Sequence, residues 1–193
     1  LADLLAGNIY INVHTALNAN GEIRGQLMPA TGFVYETWMN GKQSTPESNT
    51  TARGLAIFEL DYAMENMNYW VNAAGLSGDI TAMHVHNGSI GNAGGVALNL
   101  TSGITGKLAA GTFVKADLSA SVIASLNTGD LYLNAHTLAF PAGEIRGQLF
   151  TTNRNGYTFN QCGEQQSPMV NSTGYGSTIL AIDRDNSFMH MMM

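Results

Sequence analysis

The chain repeats itself at a fixed spacing, and that repeat limits what it can fold into. Asn8-Ile9-Tyr10-Ile11-Asn12-Val13-His14-Thr15 returns as Asp130-Leu131-Tyr132-Leu133-Asn134-Ala135-His136-Thr137, so that His14 recurs as His136, 122 positions on. The same offset carries Gly21-Glu22-Ile23-Arg24-Gly25-Gln26-Leu27 onto Gly143-Glu144-Ile145-Arg146-Gly147-Gln148-Leu149. It also carries Gly54, Ile57, Leu60 and Asp61 onto Gly176, Ile179, Ile182 and Asp183. A period of this size is a domain rather than one turn of a solenoid. The 193 residues therefore read as the C-terminal part of one repeat (1–29), a complete repeat (30–150) and the N-terminal part of the next (151–193). A segment of a tandem array makes scaffolding or assembly the first functional expectation.

Composition narrows the partners. Charged residues make up 11% of the chain, against roughly 25% in an ordinary soluble domain. The net charge is −6 and no basic cluster exists, so nucleic acid and anionic membrane surfaces are not expected partners. No apolar run approaches the ~20 residues of a membrane-spanning helix, and no membrane insertion is expected. Leu1 opens in the middle of a domain pattern, without a visible initiator or leader segment, which leaves secretion open. Cys162 is the single cysteine, so a disulfide within these residues is ruled out, and a buried free thiol, a partner beyond the segment or a bridge to another chain remains. Asn-x-Ser/Thr triplets at Asn49, Asn87, Asn99 and Asn171 are glycosylation candidates, and Asn49 and Asn171 lie one repeat apart.

Period-two alternation dominates the sequence, which predicts strands rather than long helices. In 131–136, Leu131, Leu133 and Ala135 fall on one face, and Tyr132, Asn134 and His136 on the other. The same split separates Ile9, Ile11 and Val13 from Tyr10, Asn12 and His14. Further strands are predicted at 55–60, 68–73, 80–86, 95–100 and 147–149, punctuated by Gly-rich turns such as Asn20-Gly21, Asn40-Gly41 and Asn87-Gly88. Short strands at this density predict an all-β fold, an antiparallel Greek-key β-sandwich or barrel in tandem repeats. One helical turn is expected at 119–125, with Ser121 as its cap and Val122, Ile123 and Leu126 as its apolar face. The polar stretch 45–51, containing Pro46, reads as the most linker-like.

His84-Val85-His86 is the sharpest chemical signal. Residues i and i+2 of a strand point the same way, so both imidazoles leave one face while Met83 and Val85 leave the other. Two histidines on one strand and a third from a neighbour build copper or zinc sites, and His136 is the natural third. Asp79 and Glu144 are candidate outer partners for a ring N–H. The same pattern also serves as hydrogen-bonding imidazoles on a sheet with no metal. In Gly143-Glu144-Ile145-Arg146-Gly147-Gln148, Glu144 and Arg146 share a face and could pair with each other or across strands. Arg146 is a candidate for steering anions or for holding a hairpin through loop carbonyls. The Met-rich end, 188–193, invites a Cu(I) reading, but it aligns one repeat back with 66–71, an ordinary strand, so packing is the expected role. Nucleophile triads, phosphate loops and Cys-x-x-Cys pairs are missing from the sequence.

Three stretches together resemble the CHRD domain, a repeat found in chordin and in bacterial secreted proteins. They are Ala82-Met83-His84-Val85-His86-Asn87-Gly88, Asn92-Ala93-Gly94-Gly95-Val96, and Leu131-Tyr132-Leu133-Asn134-Ala135-His136-Thr137 running on through Gln148. The resemblance covers 54–149 in full and 5–27 as a fragment. It implies an extracellular β-sandwich used in tandem, with no established enzymatic activity. A more distant similarity is to copper/zinc superoxide dismutase. It implies His84, His86 and His136 as copper ligands and Arg146 as an anion-guiding residue. The bridging histidine, the zinc loop and the structural disulfide of that family have no counterpart here.

The leading expectation is a non-enzymatic extracellular structural or adhesive module, requiring no cofactor. Self-association is expected, either as a longer tandem array of which these residues are a segment or head-to-tail, with the tail of one chain pairing with the head of the next. Each such join would lack the equivalent of 72–122, including the His-x-His strand. The alternatives are a secreted copper- or zinc-binding protein, and an extracellular protein- or glycan-binding module that presents Tyr10, Tyr132, Trp38 and Trp70.

Overall fold

The alternating sequence becomes antiparallel strand almost throughout. A computed structural model describes residues 2–152, 155–182 and 189–193. The leading segment holds a short helix α1 (Ala2–Leu5), then β1 (Tyr10–Val13), β2 (Ile23–Gln26) and β3 (Met28–Pro29). The central segment runs through β4 (Phe33–Asn40), β5 (Arg53–Leu60), β6 (Asn66–Ala74), β7 (Ile80–Asn87) and β8 (Val96–Asn99). It continues with β9 (Ile104–Thr105), β10 (Leu108–Val114), helix α2 (Ala120–Thr128), β11 (Leu131–Thr137), β12 (Ile145–Gln148) and β13 (Phe150–Thr151). The tail adds β14 (Asn155–Cys162), β15 (Tyr175–Ile182) and β16 (Met189–Met192). The fold is all-β, as the sequence predicts.

Two compact units result, Thr31–Thr152 and Leu1–Ala30 together with Asn153–Met193. In the central unit one curled sheet has the order β8-β7-β11-β12-β4-β5-β6-β10-β9, with β13 also on β4. The first strand of the unit thus meets its last two, β12 at Arg146↔Asn40 and β13 at Phe150↔Glu36. A single core joins the two ends of the sheet: Tyr35, Phe58, Met67 and Val71 from β4–β6 pack with Met83, Val85, Leu131 and Leu133. Each fully buried Leu or Val here contributes about 1.5–3 kcal/mol. The alternate residues of β7 and β11 are thereby forced outward, and that outward face carries the histidines.

The other unit is built from the two ends of the chain. Its sheet order is β1-β2-β14-β15-β16, with β3 on β14. Arg24↔Cys162 joins β2 to β14, one repeat away on both sides from Arg146↔Asn40. A small core of Leu4, Leu27, Leu180 and Ile182 sits beneath it. The Met-rich end enters this sheet as β16, paired to β15 with Met191 opposite Leu180, while Phe188 and Asp183 lie outside the described residues. Cys162 is a free, half-buried thiol.

Three local expectations need correction. Helix α2 is longer than one turn and is capped by Ser119, whose hydroxyl accepts from the Val122 N–H at 3.3 Å. Ser121 only hydrogen-bonds that cap. Gly129 ends the helix at φ +74°, the left-handed stop that glycine supplies. The stretch 45–51 is not a linker: Ser48 and Thr50 hydrogen-bond Glu144 across the unit. Strands β4 and β10 escape the alternation test because Glu36 and Thr37 are buried in β4, while Leu108-Ala109-Ala110-Gly111 in β10 lacks β-branched residues.

Candidate metal centre

β7 and β11 pair antiparallel with His84 opposite Asn134, His86 opposite Tyr132 and His136 opposite Ala82. His136 is therefore the diagonal neighbour of His84, within reach across the pair. The ring centres lie 5.2 Å apart for His84–His136, 5.5 Å for His84–His86 and 5.9 Å for His86–His136. One nitrogen from each ring falls within 4.8 Å of the others.

The tautomers follow from the partners. His86 Nδ1 lies 3.1 Å from the Gly94 carbonyl, and His136 Nδ1 lies 3.0 Å from the Pro141 carbonyl. A carbonyl only accepts, so each Nδ1 carries the proton and each Nε2 keeps its lone pair. Those two Nε2 atoms, and Nδ1 of His84, are buried and have no hydrogen-bond partner among the described residues. Orphaned buried nitrogens are costly in a structure without a use for them. Burial lowers the pKa of all three imidazoles, and the neighbouring histidines lower His84 and His86 further. The neutral, lone-pair-bearing form that a metal needs is the favoured one. At metal–nitrogen distances of about 2.0–2.1 Å, ligand nitrogens sit roughly 3.3–3.6 Å apart, so modest side-chain rotation would close the three around an ion.

Residues between and behind the histidines hold this arrangement. The Tyr132 ring stacks on His86, with centres 5.0 Å apart and planes 6° from parallel. Its hydroxyl accepts from the Gly94 N–H at 3.2 Å. That bond helps hold the 88–95 loop, whose Gly94 carbonyl orients His86. Arg146 stacks on the same tyrosine, with Cζ 3.5 Å from the ring centre. The arginine is 2% exposed, and it donates to Thr45 Oγ1, the Ser89 carbonyl and Gln148 Oε1. Tyr132, expected as an exposed contact surface, is 3% exposed because the loop covers it. Tyr10 and Trp38 are each 46% exposed and Trp70 is half-buried.

Glu144 goes elsewhere. Its carboxylate accepts from the Ser77 N–H and hydroxyl, Thr137 Oγ1 and Thr50 Oγ1 at 2.6–2.9 Å. Burial pushes this carboxyl up, but those four hydrogen bonds outweigh it and hold the pKa below the usual carboxylate value. Neither Arg146 nor a histidine is among its partners, and Asp79 faces Lys107 at 3.6 Å. The ring N–H partners are carbonyls instead. The sequence signal for them was indirect: Gly94 and Gly143 allow close backbone passage, since a Cβ at Gly94 would strike the Asn87 carbonyl and one at Gly143 the Asn134 side chain. Asn49, Asn87, Asn99 and Asn171 are all exposed.

Comparison with known proteins places these motifs. The family model described as the CHRD domain matches residues 1–27 and 35–149. Chordin of Danio rerio is 32% identical over 164 residues, and Chordin of Xenopus laevis is 30% identical over 164 residues. Each alignment covers 78% of this chain and 17% of the relative, so the chain spans about a sixth of the length of the curated relatives it matches. No solved structure matches the chain. The matched stretches carry both histidine strands and the Glu144–Gln148 hairpin, and the chain belongs to the CHRD domain family.

Proposed function

We propose that this chain is a non-enzymatic extracellular module that holds one copper or zinc ion on His84, His86 and His136. One observation carries the reading: three imidazoles bring one ring nitrogen each within 4.8 Å of the others, and each ring has a buried nitrogen with no hydrogen-bond partner among the described residues, while His86 and His136 are oriented by carbonyls through their other nitrogen. Carbonyl-oriented imidazoles are the usual supporting shell of a metal-bound histidine. An ion there would cross-link β7 to β11 and supply an electrophilic centre on their outward face. The extracellular assignment rests on CHRD family membership and on the exposed Asn triplets. The missing nucleophile constellation supports a non-enzymatic role.

Metal titration of the apo-protein, read by elemental mass spectrometry, tests the site. The expected result is one equivalent of copper or zinc per chain. His84→Ala with His86→Ala should abolish uptake while the circular dichroism spectrum stays that of the parent. Unchanged uptake in that variant would remove the proposal.

A second reading, head-to-tail assembly, has its own support. Within one chain β2 takes β14 in the register in which β12 takes β4, and exchange of that pairing between copies would propagate a fibre. Sedimentation velocity over a hundredfold range of concentration tests it, and a constant monomer would end it.

A further inference from the structure

We propose that Arg146 biases the three-histidine site toward monovalent over divalent copper; this rests on the metal-binding reading above. The argument is one of charge. All three ligand groups are neutral imidazoles, and no Asp or Glu joins the cluster among the described residues. The buried carboxylate of Glu144 is occupied by Ser77, Thr137 and Thr50. An ion in the site therefore keeps its full charge, with no anionic side chain among the described residues in the cluster to offset it.

Arg146 adds a fixed positive charge beside it. Its guanidinium is buried and has no carboxylate within ion-pair distance among the described residues; its acceptors are a hydroxyl, a carbonyl and an amide, all neutral. Through the shared Tyr132 ring, its Cζ lies no farther from the His86 ring centre than the two stacking separations combined, about 8.5 Å. With the ion taken at about that 8.5 Å separation, Coulomb's law at an effective dielectric constant near 20 makes each unit of its charge cost about thirtyfold in affinity. Divalent ions bear that cost twice and Cu(I) once. Coordination number acts in the same direction, because zinc sites generally recruit a fourth ligand and Cu(II) prefers a tetragonal set, whereas the protein offers three nitrogens.

The test compares affinities in the whole chain. Cu(I) is measured anaerobically by competition with bicinchoninate, and Cu(II) by competition with nitrilotriacetate. Arg146→Gln should lower the Cu(I)-to-Cu(II) affinity ratio about thirtyfold, which at 59 mV per decade is a fall of about 90 mV in the potential of the bound couple. Arg146→Lys, which keeps the charge, should retain most of the ratio. Thr45→Asp provides a variant at an exposed position: it sets a carboxylate against the guanidinium and should shift the ratio in the direction of Arg146→Gln without touching the core. Copper bound with an unchanged ratio in folded Arg146→Gln, or in Thr45→Asp should the first variant not fold, overturns this inference alone. No uptake of either ion by the parent protein overturns the metal site and the inference together.

Discussion

Residues 8–27 and 130–149 are two copies of one pattern, and they keep the same local contacts in different surroundings. Arg24 lies 3.5 Å over Tyr10, as Arg146 does over Tyr132. His14 Nδ1 meets the Ala19 carbonyl at 2.9 Å, as His136 meets that of Pro141. Asn12 reaches the Asn20 carbonyl and Asn134 that of Ala142, while Gln26 reaches Gly7 and Gln148 reaches Gly129. Even the turn glycines agree, at φ +119° for Gly21 and +117° for Gly143. What differs is cover. β11 is flanked by β7 and the loop after it, so Tyr132 and Arg146 are buried; β1 pairs only with β2 among the described strands, and Tyr10 and His14 are exposed. Local geometry is thus a property of the hairpin, whereas burial and the histidine cluster belong to the neighbouring strand.

Single substitutions made in both copies should separate those two layers. The largest contrast is expected in metal uptake. His136→Ala should abolish stoichiometric copper or zinc binding, and His14→Ala should leave it unchanged, as read by elemental analysis after gel filtration. Equal losses would mean that the cluster around β7 is not the site.

Next come the turn glycines, where the two copies should behave alike. Gly143→Ala and Gly21→Ala each force a side chain into a positive-φ position, against Asn134 and Asn12 respectively. A loss of about 3 kcal/mol is expected in each hairpin, measured by hydrogen exchange of the flanking amides. A cost in one copy alone would show that the turn depends on its surroundings after all.

Glu144→Gln should cost about 2 kcal/mol, because charge-assisted hydrogen bonds from Ser77, Thr137 and Thr50 are weakened in a buried place. The folded carboxyl titrates below its ordinary value near 4.5. Its stabilising contribution is therefore complete above that value and is lost as pH falls through the lower, folded one. The variant should flatten the acid limb of the unfolding curve of the central unit, and an unaltered limb would remove Glu144 as its source. Glu22, held in the same way by Thr15 and Ser172, should give a smaller change of the same sign.

The smallest effect is expected at the tyrosines. Tyr132→Phe removes the acceptor for the Gly94 N–H and should cost about 1 kcal/mol. Tyr10→Phe, at an exposed ring, should stay within about 0.5 kcal/mol of the parent. Thermal unfolding of the two variants side by side gives the comparison.

Much of the central unit was legible because alternation is strict where one face is buried. The strands around 55–60, 68–73, 80–86 and 131–136 are in place, and the inward set Met83, Val85, Leu131 and Leu133 forms the core. The pairing of His84 and His86 on one face followed from the two-residue period. The supports of the site were not legible. Gly94 and Pro141 act through backbone carbonyls, which leave no mark in a side-chain pattern, and Glu144 found hydroxyls far along the chain instead of the adjacent arginine. Tyr132 looked like surface because alternation separates two faces without telling which of them a loop will cover.

By itself the sequence determined the all-β class, the 122-residue recurrence of the hairpin, and the side of each strand on which a residue stands. These are short-range matters, set by the two-residue pleat and by glycines at turns that no other residue fits. Only the tertiary structure decided that β7 lies beside β11 with His84 diagonal to His136, that the 88–95 loop closes over Tyr132, and that Arg146 is buried with no anionic partner among the described residues. Those depend on which distant segments meet, and strand pairing is chosen by the packing of the whole core rather than by any one segment.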